Sequence, residues 1–315
     1  MTPTHDHEDA AGHAGHQHGI AVGADQRYLT GALALLLAYM VAEVVVAILA
    51  NSLALLSDAG HMLTDAGAIA VALWAMRLAA RPAQDAWTFG WKRAEILSAL
   101  SNGVTMLVIA AVVAVEAIRR LVDGHPTIHG GPVLVVALVG IVLNVAVACL
   151  LARANRSSLN VEGAYRHMLT DLYGFIGTVV AAVVIITTGW MRADSIASLV
   201  VAALMVHAGW GLLRDSVRIL LEAAPAGTSL DEIRRHLLEA PHVHDVHDLH
   251  VWTVTSGLAS LSAHLVIDDS CFNDGHAPQI LDRVQECLGG HFDVEHSTFQ
   301  LEPRSHAEHE HGAHA

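Results

Sequence analysis

Long apolar runs separated by short polar stretches occupy the chain from residue 28 to residue 213. Each run approaches or exceeds the roughly 20 residues that an α-helix needs to cross about 30 Å of hydrocarbon. The pattern therefore predicts six transmembrane helices. The six runs are 28–50, 52–78, 94–118, 133–151, 161–188 and 196–213.

A soluble domain is predicted after Leu221, where the apolar runs end. The stretch TSLDEIRRHLLEA is typical of a helix with Ser229 as its N-cap and Glu232 in a capping box. Two segments of alternating polarity flank Ser256-Gly257 and predict a β-hairpin. A helix over 277–288 and a strand over 294–301 are predicted to follow. The fold class is thus an α-helical membrane protein with a small α+β domain of the ferredoxin-like αββαβ type.

The composition agrees with a membrane protein, since 53% of the residues are hydrophobic and 15% are charged. The net charge of −14 comes largely from the two ends and the soluble domain, and the absence of a basic stripe argues against nucleic acid as a partner. The cysteines, Cys149, Cys271 and Cys287, supply neither a disulfide framework nor a Cys-x-x-Cys zinc cluster. Metal chemistry must therefore rest on histidine and carboxylate.

The placement of basic residues predicts the orientation in the lipid bilayer. The richer side is expected to face the cytoplasm, so both termini are cytoplasmic, and we expect a multi-pass protein of the cell (inner) membrane. One side carries Arg27, Arg77, Arg81, Lys92, Arg93, Arg153, Arg156, Arg166, Arg214 and Arg218, and the other carries Arg119, Arg120 and Arg192.

The motif HMLTD occurs twice inside the apolar runs, at His61 to Asp65 and at His167 to Asp171. Residues four apart lie on the same face of a helix. If the second and fifth helices pack together here, two imidazoles and two carboxylates form a site that suits tetrahedral Zn²⁺. Because an ionisable residue at the bilayer centre costs at least about 2.5 kcal/mol, such residues are functional candidates by default.

The motif has interpretations other than a metal carrier. Each pair could be a structural hydrogen bond between helices, but the repetition favours one metal site with four ligands. A helical zinc protease would show HExxH, whereas Met62, Leu63 and Thr64 offer no general base. An intramembrane metallohydrolase would also need an activated water, so we do not expect an enzyme. A membrane-embedded zinc sensor or structural metal-binding protein stays open as the alternative.

Protons are expected to compete with the metal for this site. Metal ligands must be deprotonated, so binding releases protons. If the site opens alternately to the two faces of the membrane, an exchange of Zn²⁺ for H⁺ results.

The motifs resemble those of the cation diffusion facilitators, in particular the zinc-transporting branch. NSLALLSDAGHMLTDAGAIAVALWA is similar to the signature of their second helix, and TFGWKRAEILSALSNG, the second HMLTD and VHDLHVWTVTSGLASLSAHLVID are similar to their third helix, fifth helix and cytoplasmic domain. The resemblance covers 28–302. It implies export of metal from the cytoplasm and homodimers joined through the soluble domain. It also implies transport-site ligands at His61, Asp65, His167 and Asp171.

The resemblance further implies bound zinc near the dimer interface of the soluble domain. Matching positions are His247, His264 and Glu302, one on each predicted strand. The alternative is that both histidines are polar strand residues in contact with solvent. Weaker candidates are His242, His244, His250 and His276. Lys92 stands where many zinc-branch relatives carry histidine, so no metal site is expected in that loop.

We expect four segments in the chain. The two ends are rich in histidine, too polar to build a core, and expected to be disordered. Their imidazoles can collect divalent ions, with a solvated tail of no function as the alternative. The segments are a cytoplasmic tail over 1–26, a transport domain over 27–222, a dimerisation and metal-sensing domain over 223–303 and a tail over 304–315. Zinc is the expected substrate and regulatory ligand, without an organic cofactor.

Overall fold

The computed structural model describes residues 22–49, 53–123, 130–154, 156–292, 294 and 296–307. Six long helices precede the soluble domain, as the apolar runs predict. They are α1 (Val22–Leu49), α2 (Leu53–Ala79), α3 (Ala94–Asp123), α4 (Gly130–Leu151), α5 (Leu159–Thr188) and α6 (Arg192–Leu220). Among the described residues, four of these helices, α3 to α6, are long and apolar enough to span a membrane, and α1 contains the shorter apolar stretch Gln26–Ala42.

Helices α3 and α6 lie against each other at two glycines. A Cβ atom built on Gly103 would lie 3.2 Å from the carbonyl oxygen of Gly209, and one built on Gly209 would lie 3.1 Å from the carbonyl oxygen of Gly103. Small residues permit this approach of two backbones inside a membrane, where van der Waals packing holds helices together. The two glycines therefore set the contact between α3 and α6.

Helices α1, α2, α4 and α5 share a buried apolar core, whose members include Leu29, Leu36, Ile69, Leu73, Val147, Leu151, Val161 and Met168. Asn160 lies buried at the start of α5, and its Nδ2 donates a hydrogen bond to the carbonyl oxygen of Ala72 in α2 at 2.9 Å. A buried amide needs such a partner because an unsatisfied polar group is costly away from water. The bond holds the start of α5 against the later half of α2.

The described part of the soluble domain contains three strands and three α-helices. The elements are α7 (Leu230–Leu238), β1 (Val243–Thr255), β2 (Leu258–Ile267), α8 (Ala277–His291), β3 (His296–Pro303) and a short α9 (Arg304–Ala307). The strands form one sheet in the order β1-β2-β3. Strands β1 and β2 are antiparallel, whereas β2 and β3 are parallel, which requires the crossover that α8 provides. The predicted αββαβ order and the α+β fold class are confirmed.

Local details of the soluble domain follow the sequence closely. The Oγ of Ser229 accepts a hydrogen bond from the N–H of Glu232 at 3.3 Å, which confirms the N-cap of α7. Gly257 joins β1 to β2 with φ 73°, a conformation that glycine adopts without steric cost. Helix α8 ends three residues later than predicted and β3 begins two residues later, because element ends carry the weakest pattern.

The tip of the β1–β2 hairpin contacts the bundle at the first turns of α3 and α5. Glu95 in α3 accepts a hydrogen bond at Oε2 from the hydroxyl of Thr255 at 3.0 Å, and another at Oε1 from the hydroxyl of Ser158. The backbone N–H of Leu159 donates to the Oγ of Ser256 at 3.0 Å. Because Ser158 is also the N-cap of α5, the hairpin is bonded to both helices at one end of the bundle.

Candidate metal centres

Helices α2 and α5 bring three of the four predicted transport-site residues together in the bundle. The Nε2 of His167 lies 3.0 Å from Oδ1 of Asp65 and 3.5 Å from Oδ2 of Asp171. The edge of a zinc tetrahedron with bonds of about 2.1 Å is roughly 3.4 Å. These three residues, called the membrane site below, therefore offer one nitrogen and two oxygens at a spacing close to that of zinc ligands.

The fourth predicted residue, His61, belongs to α2 and precedes Asp65 by four residues. Its side chain lies outside the part of the chain whose side chains the structure describes. Its role as a ligand therefore stays a prediction.

The membrane site is buried, with 6%, 10% and 15% of the side chains of His167, Asp65 and Asp171 exposed. Nε2 of His167 faces both carboxylates, so it is the nitrogen that would bind a metal. A buried carboxylate is costly without a compensating positive charge. The arrangement can thus hold a divalent cation, whose charge two carboxylates neutralise.

Cavities of very different size lie on the two sides of the membrane site. Away from the soluble domain, Asp65 and Asp171 line a cavity of about 240 Å³ together with Met62, Asn144 and Thr178. Toward the soluble domain, Asp65 and His167 line a cavity of about 10 Å³, near the minimum of about 10–15 Å³ for one water. In this conformation, room for an ion and its waters lies on the side opposite the soluble domain.

The hydrogen bond between Asn160 and Ala72 crosses the narrow side of the membrane site. Asn160 also lines the small cavity there. The sequence did not predict this contact, because a single asparagine at the start of an apolar helix forms no recognisable pattern.

The three strands of the soluble domain bring together His247, His264 and Glu302, called the strand site below. His247 and His264 are directly opposite each other on β1 and β2. Nδ1 of His264 lies 2.8 Å from Oε1 of Glu302, and Nε2 of His247 lies 3.4 Å from Oε2. The carboxylate is 1% exposed, and the imidazoles are 13% and 22% exposed. Two imidazoles thus enclose one buried carboxylate, a donor set that suits zinc.

A further group of metal-type side chains surrounds the loop between β2 and α8. The sequence indicated its histidines only as weaker candidates and missed its carboxylates and its thiol. In the sequence, this group is indicated locally by the histidine and acidic residues that are concentrated at 242–248 and 268–276. The group consists of His242, His244, Asp268, Cys271, Asp274 and His276.

Two family models together match nearly all of the chain that forms the helices and the sheet. Residues 29–221 match the cation efflux transmembrane domain, and residues 225–304 match the cation efflux protein, cytoplasmic domain. The chain belongs to the cation diffusion facilitators. The members of this family are cation efflux transporters of the membrane, so this facilitator is a membrane protein of a transporter family.

Individual relatives of this facilitator are similar over most of its length. The "Cadmium, cobalt and zinc/H(+)-K(+) antiporter" of Bacillus velezensis is 37% identical over 294 residues, which cover 93% of each chain. The "Zinc transporter ZitB" of Escherichia coli is 39% identical over 84% of this chain and 83% of its own. A solved metal-bound C-terminal domain of the CzcD transporter from Cupriavidus metallidurans is 36% identical, covers 24% of this chain and 99% of its own, and has a TM-score of 0.22.

Proposed function

We propose that this facilitator exports Zn²⁺ from the cytoplasm in exchange for H⁺, with His61, Asp65, His167 and Asp171 as the ligands of the transported ion. The observation that carries the proposal is the placement of Nε2 of His167 between two carboxylates inside the bundle, at 3.0 and 3.5 Å. A relative named as a zinc transporter and another named as a metal/H⁺ antiporter support it.

The donor set accounts for the choice of ion class. Imidazole suits zinc and its neighbours among the transition metals, whereas sites of oxygen alone suit magnesium, calcium and manganese. With His61 as fourth ligand the site has two nitrogens and two oxygens, which fill a zinc tetrahedron. All four positions are then held by protein, so no position is left for an activated water, and the site carries an ion instead of catalysing a reaction.

The same groups account for the exchange of protons. Imidazole and carboxylate bind a metal only after losing their protons, so Zn²⁺ and H⁺ compete for the membrane site. The described conformation offers space on the side away from the soluble domain. We assign that side to the outside of the cell. The positive-inside rule predicts that the soluble domain and both termini lie on the cytoplasmic side of the inner membrane. Protons that enter from outside then displace zinc outward.

The two domains have different roles in this proposal. The segment 27–222 moves the ion, while 223–303 joins two copies into a homodimer and senses zinc at the strand site. The tails at 1–26 and 304–315 lie outside the described residues except for 22–26 and 304–307. We expect their histidines to raise the local zinc concentration.

Flux in liposomes tests the proposal. Purified protein is reconstituted with a zinc-sensitive dye and a pH-sensitive dye inside, and zinc is added outside. We expect zinc uptake to be coupled to proton release from the vesicles. Asp65→Asn keeps the side-chain volume but removes a charge, and it should abolish uptake. Asp85→Asn in the exposed loop between α2 and α3 is the matched control and should transport normally.

The competing function, a membrane-embedded zinc sensor, gives a different result in the same assay. Such a protein would bind zinc in equilibrium dialysis but would show no flux above that of empty liposomes. Flux that persists in Asp65→Asn and in Asp171→Asn would instead place the transport site elsewhere.

A further inference from the structure

The loops that flank β1, β2 and α8 place an imidazole, a carboxylate and a thiol around one point. Nδ1 of His242 lies 3.0 Å from Oδ2 of Asp268. The ligand atoms of His242, Asp268 and Cys271 all lie within 4.8 Å of one another. The ligand atoms of Cys271, Asp274 and His276 meet the same condition, so the thiol belongs to both triads.

The two triads form one continuous group. The rings of His242 and His276 are stacked, with centroids 5.8 Å apart and planes inclined by 15°. Nδ1 of His276 lies 2.9 Å from Oδ1 of Asp274. Nε2 of His244 lies 2.6 Å from Oδ1 of Asp268, the carboxylate oxygen that His242 does not contact. We call the five residues His242, Asp268, Cys271, Asp274 and His276 the Cys271 cluster.

The backbone holds the members of the Cys271 cluster together. The N–H of Asp268 donates to the carbonyl oxygen of His242 at 3.2 Å, and the N–H of Cys271 donates to the carbonyl oxygen of Asp268 at 3.0 Å. Cys271 lies in the 3₁₀ turn Asp269–Phe272 and is 1% exposed. The three residues of the first triad are therefore fixed relative to one another before any ligand binds, which reduces the entropy lost on binding.

The donor chemistry of the cluster is that of a soft divalent cation. Thiolate and imidazole together favour zinc and related metals over magnesium, calcium and manganese. A metal that binds the Cys271 sulfur displaces the thiol proton, which goes to solvent.

We propose that the Cys271 cluster is a second metal site of the soluble domain, which binds Zn²⁺ or a similar soft divalent cation through His242, Asp268 and Cys271, with Asp274 and His276 beside the same thiol. It is separate from the strand site, because His242 and His247 are five residues apart, roughly 15 Å along an extended chain. Strand β1 runs from the cluster to the hairpin that contacts the bundle, so the cluster lies at the membrane-distal end of the domain.

A bound metal would join the segment between α7 and β1 to the segment between β2 and α8. These two segments hold His242 on one side and Asp268 to His276 on the other. The site does not depend on the membrane site, and it is present whether or not the chain transports zinc.

Cobalt spectroscopy of the full-length protein in detergent tests the proposal. Co²⁺ bound to a thiolate gives a sulfur-to-metal charge-transfer band in the near ultraviolet, whereas Co²⁺ bound to histidine and carboxylate alone gives none. The membrane site, the strand site and the histidine-rich ends contain no cysteine, so the band requires one of the three cysteines, and a variant of Cys271 decides whether it is this one. We expect the band in the wild type and its loss when Zn²⁺ is added. A wild type without the band overturns the proposal.

Variants assign the band to its ligands. Cys271→Ser should abolish the band, and Cys287→Ser on α8 is the matched control that should retain it. Asp268→Asn is nearly isosteric, so the domain keeps its fold, and the Co²⁺ concentration at half-saturation should rise by about tenfold or more. A band that survives Cys271→Ser, or one that Asp268→Asn and His242→Ala both leave at wild-type affinity, would rule out this ligand set. Far-ultraviolet circular dichroism checks the fold of each variant.

Discussion

Thr255 at the end of β1 donates a hydrogen bond to Glu95 in the first turn of α3, across 3.0 Å and a separation of 160 residues. The other oxygen of the same carboxylate accepts a hydrogen bond from Ser158, the N-cap of α5. One side chain thus connects the soluble domain, α3 and α5. Because α5 also carries His167 and Asp171, this junction connects the helix of the membrane site to the hairpin of the soluble domain.

Removal of the Thr255 hydroxyl should loosen this junction. Thr255→Val keeps the shape of the side chain but leaves Glu95 with one partner fewer, at a cost of about 1.5–3 kcal/mol for a hydrogen bond to a charged group. Hydrogen exchange followed by mass spectrometry should show faster exchange at the hairpin and at the start of α3. Thr253→Val, on the same strand, is the control. Equal exchange in Thr255→Val and wild type would mean that the bond does not hold the domains together.

Asn160 is expected to keep the membrane site closed toward the soluble domain. Asn160→Ala removes the bond to Ala72, and a loss of about 1 kcal/mol shifts a two-state equilibrium by about fivefold. Alkylation of Ala68→Cys, in a chain whose three native cysteines are replaced by serine, measures access to the small cavity. We expect faster labelling from the soluble-domain side.

Asn144→Ala is the matched control for Asn160→Ala. The Nδ2 of Asn144 donates a hydrogen bond to the carbonyl oxygen of Gly140 in its own helix, so this variant removes a bond within one helix instead of a bond between two. Labelling that Asn160→Ala leaves unchanged, or that Asn144→Ala increases equally, would contradict the gating role.

The glycine pair between α3 and α6 should tolerate no side chain. Gly103→Ala would place a methyl group 3.2 Å from the backbone of α6, and neither backbone can yield without separating the helices. We expect a loss of about 1–3 kcal/mol, the usual range for overpacking, seen as a lower melting temperature of the protein in detergent. Gly131→Ala in α4 meets no atom within 4 Å and should melt like the wild type. An unchanged melting temperature for Gly103→Ala would show that the two helices are not packed as described.

Zinc binding at the strand site should depend on Glu302. Glu302→Gln preserves the shape of a buried side chain and removes the charge that a cation needs, so zinc affinity at this site should fall by about tenfold or more. Isothermal titration of the full-length protein should lose one class of binding events, while zinc flux at saturating zinc persists. Glu286→Gln on the exposed face of α8 is the control. A full set of binding events in Glu302→Gln would mean that zinc binds elsewhere in the soluble domain.

The features of the fold that depend on repeating patterns of apolar and polar residues were predicted from the sequence alone. The lengths of the apolar runs predicted six helices, and the change to alternating polarity predicted the αββαβ order, because both depend on local burial along each segment. The two copies of HMLTD predicted a shared site on the condition that α2 and α5 pack together, and the 3.0 Å contact between Asp65 and His167 meets that condition. Here a repeated motif carried information about a contact between residues far apart in the chain.

Other features appear only when distant segments are placed together. Asn160 bonds to Ala72 across 88 residues, and Glu95 bonds to Thr255 across 160. Neither pair has a periodic signal, since a single hydrogen bond leaves no repeating pattern in the sequence. Asp268 and Cys271 form a candidate metal site only together with His242, and the β1–β2 hairpin separates His242 from them in the sequence. The unequal cavities beside the membrane site likewise arise from the packing of whole helices. Hydropathy indicates whether a helix is buried, but it does not indicate on which side of the membrane site the helices leave an open cavity.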